Sequence, residues 1–241
     1  MNSDPVRKLA ESDLAEVSQL LESTINKGKV MLKKLIVAVG LSAFAMAAMA
    51  GEGYLGIGTT GYGVGFAYKL SDNAGLRAEY NGLDYSHQVN SNGATYDAKI
   101  KMSNLGAYYD YFISGGFRAT AGLVAGDNKF TGSANASSGT YTINGTAYSA
   151  AGESLTFQAK MPDVMPYFGI GYGHDQVKPG LGFYADAGFM YGKPKAELSA
   201  SAGLTAAAGQ SNIDAEKQKL QDQLNKYSLF PVVKVGLSYA F

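Results

Sequence analysis

Six charged residues stand singly within stretches that otherwise alternate apolar and small side chains: Arg77, Glu79, Asp110, Arg118, Asp186 and Lys234. Three are cationic and three anionic. Lone charges on a face shared with glycine and alanine call for partners, because burying an unpaired charge costs several kcal/mol. Arg77 follows a turn-rich segment at 71–74, and Asp110 and Arg118 flank another at 113–116. These three therefore share one end of neighbouring elements. Two guanidiniums can flank one carboxylate through charge-assisted hydrogen bonds, with Glu79 neutralising the excess. Such a set is either a structural plug of ion pairs or a ring that gates or selects ions.

Other residue patterns carry less chemistry. Gly56-Ile57-Gly58-Thr59-Thr60-Gly61 has the spacing of a dinucleotide-binding turn. That turn needs a following helix and an acidic residue about 20 positions on, whereas here a second strand pattern follows directly. His87 and His174 are the two histidines, and the chain has no cysteine. Thiolate zinc sites, iron–sulfur clusters, disulfides and a cysteine nucleophile are thereby excluded. Ser86-His87 is the one candidate for nucleophilic chemistry, but adjacent residues on a strand point to opposite faces. Asn135-Ala136-Ser137 and Asn144-Gly145-Thr146 match the glycosylation sequon, which by itself carries no default meaning here. No catalytic, cofactor-binding or metal-binding residues are expected, and the chain is read as a non-enzyme. A formal net charge of zero removes the electrostatic case for nucleic acid.

The elements that position the six charges are strands. Leu76, Ala78 and Tyr80 alternate with Arg77, Glu79 and Asn81; Leu105, Ala107, Tyr109 and Tyr111 alternate with Gly106, Tyr108 and Asp110. The same period of two runs through 117–123, 168–173, 183–189 and 233–241, placing successive side chains on opposite faces. The 31 glycines in 241 residues are nearly twice the usual ~7% share, a load that helices do not carry. One face is apolar and aromatic; the other is small, polar or singly charged. A soluble sandwich alternates too, so the polar face decides: its glycines leave room and its charges stand singly at mid-strand, as in a barrel with a polar interior and a lipid-facing exterior. Mean hydropathy is −0.08, and past residue 50 no apolar run is long enough for a spanning helix.

Strands are predicted at 53–59, 62–69, 75–86, 96–112, 116–132, 153–173, 181–199 and 228–241. Short joins at 71–74, 114–115 and 174–180 alternate with long ones at 87–95, 133–152 and 200–227; the join at 59–61 is the short exception among the latter. Short periplasmic turns and long outer loops are the rule for bacterial barrels. By this parity His87 and His174 lie on opposite sides of the membrane. Within the outer loops, Tyr141 to Tyr148 predicts a hairpin around an Asn144-Gly145 type I′ turn. Ile213, Leu220 and Leu224 share a helical face within 212–226. That helix either binds a partner outside or folds its loop back over the rim. An interior this narrow is just wide enough to be filled by side chains, which favours the plug. The glycines on the inward faces of strands one, two and six remove bulk and keep a channel in play.

The first fifty residues read as an address. Lys33 and Lys34 precede an apolar run from Leu35 to Met49, and Ala48-Met49-Ala50 forms an A-x-A cleavage site before Gly51. The predicted divisions are an N-terminal extension at 1–30, a cleaved signal peptide at 31–50 and an outer-membrane barrel at 51–241. The bland alternative is an uncleaved anchor. Met31 is well placed to be the initiator, and Lys27-Gly28-Lys29 can be encoded by a purine-rich run like a ribosome-binding site. The competing reading of 1–30 is an amphipathic helix through Ala10, Leu14, Val17 and Leu21.

The last strand, Val233 to Phe241, resembles the C-terminal strand of proteobacterial outer-membrane barrels. In that family the alternating apolar positions and terminal aromatic, here Val235, Leu237, Tyr239 and Phe241, form the signal read by the barrel-assembly machinery. Size, signal segment and strand count together resemble the small outer-membrane proteins of the OmpA membrane-domain, OmpX and OmpW kind. The resemblance covers 51–241 in architecture, with its sharp motif in the last strand, and does not imply the anchoring role of full OmpA. It implies an all-β, eight-stranded antiparallel transmembrane up-and-down β-barrel with a short helix in the last extracellular loop. It also implies the partners: outer-membrane lipid and lipopolysaccharide, the barrel-assembly machinery and periplasmic chaperones. Two function classes follow. One is a structural or surface-interaction barrel of the Gram-negative outer membrane with a plugged lumen. The other is a narrow, porin-like channel or lateral path for small or hydrophobic solutes.

Overall fold

The structure, a computed structural model, describes residues 51–91, 94–175 and 179–241. The extension at 1–30 and the signal segment at 31–50, with Ala48 and Ala50, lie outside the described residues. So do parts of the joins at 87–95 and 174–180.

Among the described residues the chain forms thirteen strands and two helices. They are β1 (Glu52–Gly58), β2 (Gly61–Ser71), β3 (Ala74–Ser91), β4 (Ala94–Ser114), β5 (Phe117–Gly126), β6 (Lys129–Ala136), β7 (Thr140–Ile143), β8 (Thr146–Ser149), β9 (Glu153–Lys160), β10 (Val164–Tyr172), β11 (Gly180–Tyr191), β12 (Lys195–Ala200), α1 (Ala202–Ala208), α2 (Gln210–Leu224) and β13 (Leu229–Ala240). Eight of the strands close into an antiparallel ring in the order β1-β2-β3-β4-β5-β10-β11-β13. Closure joins the two ends of the described chain: Glu52 stands opposite Ala240, and Phe241 N–H donates to Gly51 O at 3.0 Å.

The period of two sets which residues face inward. Outward residues are exposed and apolar: Leu105 is 61% exposed, Ile170 66% and Leu181 78%. Inward charged residues of the ring are buried, with Asp110 and Arg118 each 1% exposed.

The eight expected strands need correcting. The fifth, sixth and seventh are each broken, at 127–128, 161–163 and 192–194, so that β6, β9 and β12 continue above β5, β10 and β11. Pro162 and Pro194 lie in two of these breaks, and proline cannot donate to a ladder. The join at 87–95 is not a long loop. β3 and β4 run on to Ser91 and from Ala94, because the alternation of Tyr85, Val89, Tyr96 and Ile100 continues and β6 pairs with the upper half of β4. The result is an upper sheet ordered β3-β4-β6-β9-β12 beyond the ring.

The hairpin β7–β8 falls where the sequence places it. Its turn residues Asn144 (φ 51°) and Gly145 (φ 83°) both adopt the positive φ that a type I′ turn requires. The last join holds two helices rather than one. Ile143, Leu204, Ala208 and Ile213 are buried together against Tyr141, Tyr148, Leu155 and Leu198. The helix thus folds back onto its own protein. It also covers the open edge of β12: Ala196 N–H donates to Gln221 Oε1 at 2.8 Å. A bare edge would invite pairing with another chain.

Candidate functional site

The ring's interior is the chemically distinctive region, and each inward side chain owes its place to strand parity. Arg77 and Glu79 come from β3, Asp110 from β4, Arg118 and Thr120 from β5, Asp186 from β11 and Lys234 from β13. All seven are buried.

Four of them form one network. Arg77 grips Asp110 with two nitrogens, Nε to Oδ2 at 2.5 Å and Nη2 to Oδ1 at 3.2 Å. Arg77 Nη1 donates to Asp186 Oδ2 at 3.2 Å, and Arg118 Nη2 donates to Asp186 Oδ1 at 2.6 Å. Arg118 Nε lies 3.2 Å from Asp110 Oδ1, an ion-pair distance without hydrogen-bond alignment. Thr120 Oγ1 donates to Asp110 Oδ1 at 2.6 Å, and Arg118 Nη1 to Gly173 O at 3.1 Å. Two cations and two anions therefore alternate around a closed circuit. Glu79 does not neutralise the arginines, as the sequence suggested; Asp186 does. Glu79 pairs instead with the ammonium of Lys234. Sequence spacing could not reveal this, because Asp186 reaches Arg77 only after the ring closes.

Tyrosine rings occupy the rest of the middle. Tyr108 lies under both cations, 5.1 Å from the Arg77 guanidinium and 5.7 Å from Lys234 Nζ. It meets Tyr167 edge to face at 5.2 Å. The inward glycines make room for these rings. A Cβ on Gly122 or Gly106 would strike Tyr108, one on Gly65 would strike Tyr54, one on Gly169 would strike Tyr167, and one on Gly236 would strike Tyr184. Of the glycines that the sequence reads as removing bulk on strands one, two and six, Gly56, Gly65 and Gly169 stand against the rings of Tyr184, Tyr54 and Tyr167. Above this level Val124, Met165, Met190 and Val232 pack with Met161 and Phe230. Asn104 and Asn128 exchange two amide hydrogen bonds of 2.8 and 2.7 Å beside the break after β5.

At the opposite end, in the join after β10, His174 is buried between Tyr54 and Tyr184, with ring centroids 4.5 and 4.7 Å away. Burial holds its imidazole well below the ordinary range, with the nearby arginines acting in the same direction. His174 Nδ1 and Glu52 Oε1 are hydrogen-bonded at 3.1 Å. Nε2 has no partner. The sequence singled out His174 but not Glu52, 122 residues away. His87 sits exposed on upper β3, at the other end of the molecule. Gly56, Gly58 and Gly61 fall on β1 and β2 around a strand turn, with no helix after them. Among the described residues no group of three or more His, Asp or Glu side chains converges as a metal site would.

Val235, Leu237 and Tyr239 form the exposed outward row of β13, and the Phe241 ring packs edge to face on Tyr239 at 5.4 Å.

The fold is an all-β, antiparallel, up-and-down sheet closed into a ring. Two structures from Acinetobacter baumannii share it. CarO aligns with a TM-score of 0.56 at 24% identity, over 80% of this chain and 98% of its own. CarO2 aligns with a TM-score of 0.57 at 23% identity, over 80% and 99%. A major outer membrane protein from Thermus thermophilus aligns with a TM-score of 0.39 at 15% identity, too loosely to bear on the argument. No protein-family model and no curated protein matches the sequence.

Proposed function

We propose that this chain is an integral β-barrel of the bacterial outer membrane, with a side-chain-plugged lumen and a structural and surface-interaction role. The observation that carries the reading is the inversion of the ring. Its exposed face is a continuous apolar and aromatic belt, and its buried face holds six paired charges. In water such a belt would aggregate; in a bilayer it is the required surface. The shared fold with CarO supports the same reading. The eight-strand ring spans the membrane, as in the small OmpA, OmpX and OmpW kind. The short turns and the termini of the ring face the periplasm, and the upper sheet, hairpin and helices stand outside. The segment at 31–50 directs export and is cleaved after Ala50. The paired charges act as structure rather than as a catalytic site.

The channel reading drew on the inward glycines of strands one, two and six; tyrosine rings stand over Gly56, Gly65 and Gly169, and side chains of the polar interior over Gly58, Gly63 and Gly171. Planar-bilayer recording separates the two. Pure protein that migrates differently before and after boiling should give no steady conductance. Resolvable, reproducible steps would establish a channel in place of the plug.

A further inference from the structure

Four lysines occupy one ladder row of the upper sheet. Lys101 on β4 stands opposite Lys129 on β6, Lys129 opposite Lys160 on β9, and Lys160 opposite Lys195 on β12. Directly opposed residues share a face, with Cβ atoms about 5 Å apart, and like charges so placed repel. The opposite face is the one that the hairpin and helices cover.

Parity shows where the row looks. Lys101 lies four residues above Leu105 on an unbroken strand, so it shares the outward face of the belt. The pairing of β4 keeps one register through β5 and β6, so Lys129 is outward like Ala125. Lys160 and Val164 stand in the same relation, and both lie beside Asp163 at the break. Four residues advance a strand ~13 Å. With strands tilted ~40°, that is roughly 10 Å along the membrane normal. Headgroups extend ~5–8 Å beyond the hydrocarbon on each side. Leu105 is the last apolar outward residue of β4, so the backbone of the row lies just above the headgroup layer, within reach of a lysine side chain.

The charges around the row are mixed. Asp127 holds Lys129 and Asp163 holds Lys160, each at 2.9 Å. Asp84 stands opposite Lys101, and Glu197 is bonded to Gln158. Lys99, Lys101 and Lys195 are exposed and form no ion pair among the described residues. The acids restrain the repulsion within the row without consuming its outermost ammonium groups.

We propose that Lys101, Lys129, Lys160 and Lys195 form a docking surface for the phosphate-bearing glycolipid of the outer leaflet. The inference rests on the barrel reading above, which sets the height of the row. Charge complementarity selects the occupant: ammonium groups spaced along a sheet, on side chains that reach down to the headgroups, meet anionic phosphates fixed in the membrane plane.

The test uses the folded chain in a neutral maltoside detergent, titrated with mixed micelles of bisphosphorylated or dephosphorylated lipid A. The expected result is at least tenfold tighter binding of the phosphorylated form, weakened by salt and undiminished by millimolar inorganic phosphate. Lys101→Gln/Lys129→Gln/Lys160→Gln/Lys195→Gln should lose that tenfold preference. Lys217→Gln/Lys219→Gln/Lys226→Gln, on and just after α2, should keep it. Lys101→Gln/Lys195→Gln leaves the pairs with Asp127 and Asp163 intact and serves if the fourfold variant does not fold; it should weaken binding about threefold. Equal binding of both lipids, displacement by inorganic phosphate, or unchanged binding by the lysine variants overturns the surface while leaving the barrel standing. Identical gel migration of boiled and unboiled wild-type protein overturns the barrel, and the surface with it.

Discussion

Lys234 and Asp186 stand opposite each other in the β11–β13 ladder, yet each turns to a different partner. Lys234 reaches Glu79 on β3, three strands round the ring, and Asp186 takes both Arg77 and Arg118. The ion pairs therefore brace strands that share no backbone ladder. β3 is tied to β11 and β13, and β5 is tied to β11 across β10. Ladder hydrogen bonds hold neighbours; these pairs hold the cross-section.

Asp110→Asn tests that bracing. Asp110 faces both arginines and accepts from Thr120. Removing its charge leaves Arg77 and Arg118 sharing Asp186 alone. Breaking a buried pair costs about 3–5 kcal/mol, less where water enters. The urea midpoint should fall while bilayer conductance stays near zero. Unchanged stability with altered ion selectivity would mean that the carboxylate lines a solvated pore.

Gly122→Ala tests the fit of rings to glycines. The added methyl would meet the Tyr108 ring and the Ala107 carbonyl. Overpacking of this kind costs about 1–3 kcal/mol. Tyr108→Ala alone opens a cavity, but the double variant should lose less than the sum, with a coupling of about 0.5–3 kcal/mol in a denaturation cycle. Strict additivity would separate the two residues energetically.

Much of this arrangement is visible in the sequence, for reasons that also mark its limits. A period of two assigns each residue a face, so the inward position of Arg77 or Lys234 follows from local chemistry alone. The choice of partners does not, because Asp186 and Arg77 are 109 residues apart and meet only through closure. The surroundings of the glycines were hidden for a related reason. A small residue reads as space until the side chain beside it is known, and at Gly56, Gly65 and Gly169 that side chain is a tyrosine. The lysine row escaped notice because its members lie on four separate strands, far apart in sequence. Hairpin β7–β8 was legible because Asn-Gly acts over two residues. The docking of its tip, where Asn144 N–H donates to Glu216 Oε2 at 2.9 Å, joins positions 72 residues apart and was not.

His174 gives the fold a pH dependence of known sign. Its folded imidazole titrates well below the ~6.5 of an unfolded histidine. Between those two values the unfolded chain binds the extra proton, so stability rises with pH there. Stability from this group is complete above about pH 6.5 and is lost as the pH falls toward the folded value. Urea midpoints measured across pH 4.5–7.5 should drop on the acid side. His174→Gln should flatten that slope, and an unaltered slope would assign it to other groups.

Deleting Phe241 separates assembly from stability. The residue lies just past the end of β13, with its backbone N–H on Gly51 and its ring on Tyr239. It is 38% exposed, so its apolar contacts within the protein are worth about 1–2 kcal/mol. A closed ring of eight paired strands should survive that loss, and the shortened chain refolded in detergent should still migrate differently before and after boiling. In cells the outcome should differ. If the row Val235, Leu237, Tyr239 and Phe241 is what the assembly machinery reads, removing its terminal aromatic should strand the protein in the periplasm, where proteases clear it. Quantifying the barrel in outer-membrane fractions alongside refolding yield in detergent distinguishes the cases. Low membrane levels with normal refolding assign Phe241 to recognition. Normal levels in the membrane would remove that role. Failure in both would make Phe241 a structural residue whose ring closes the seam between β1 and β13.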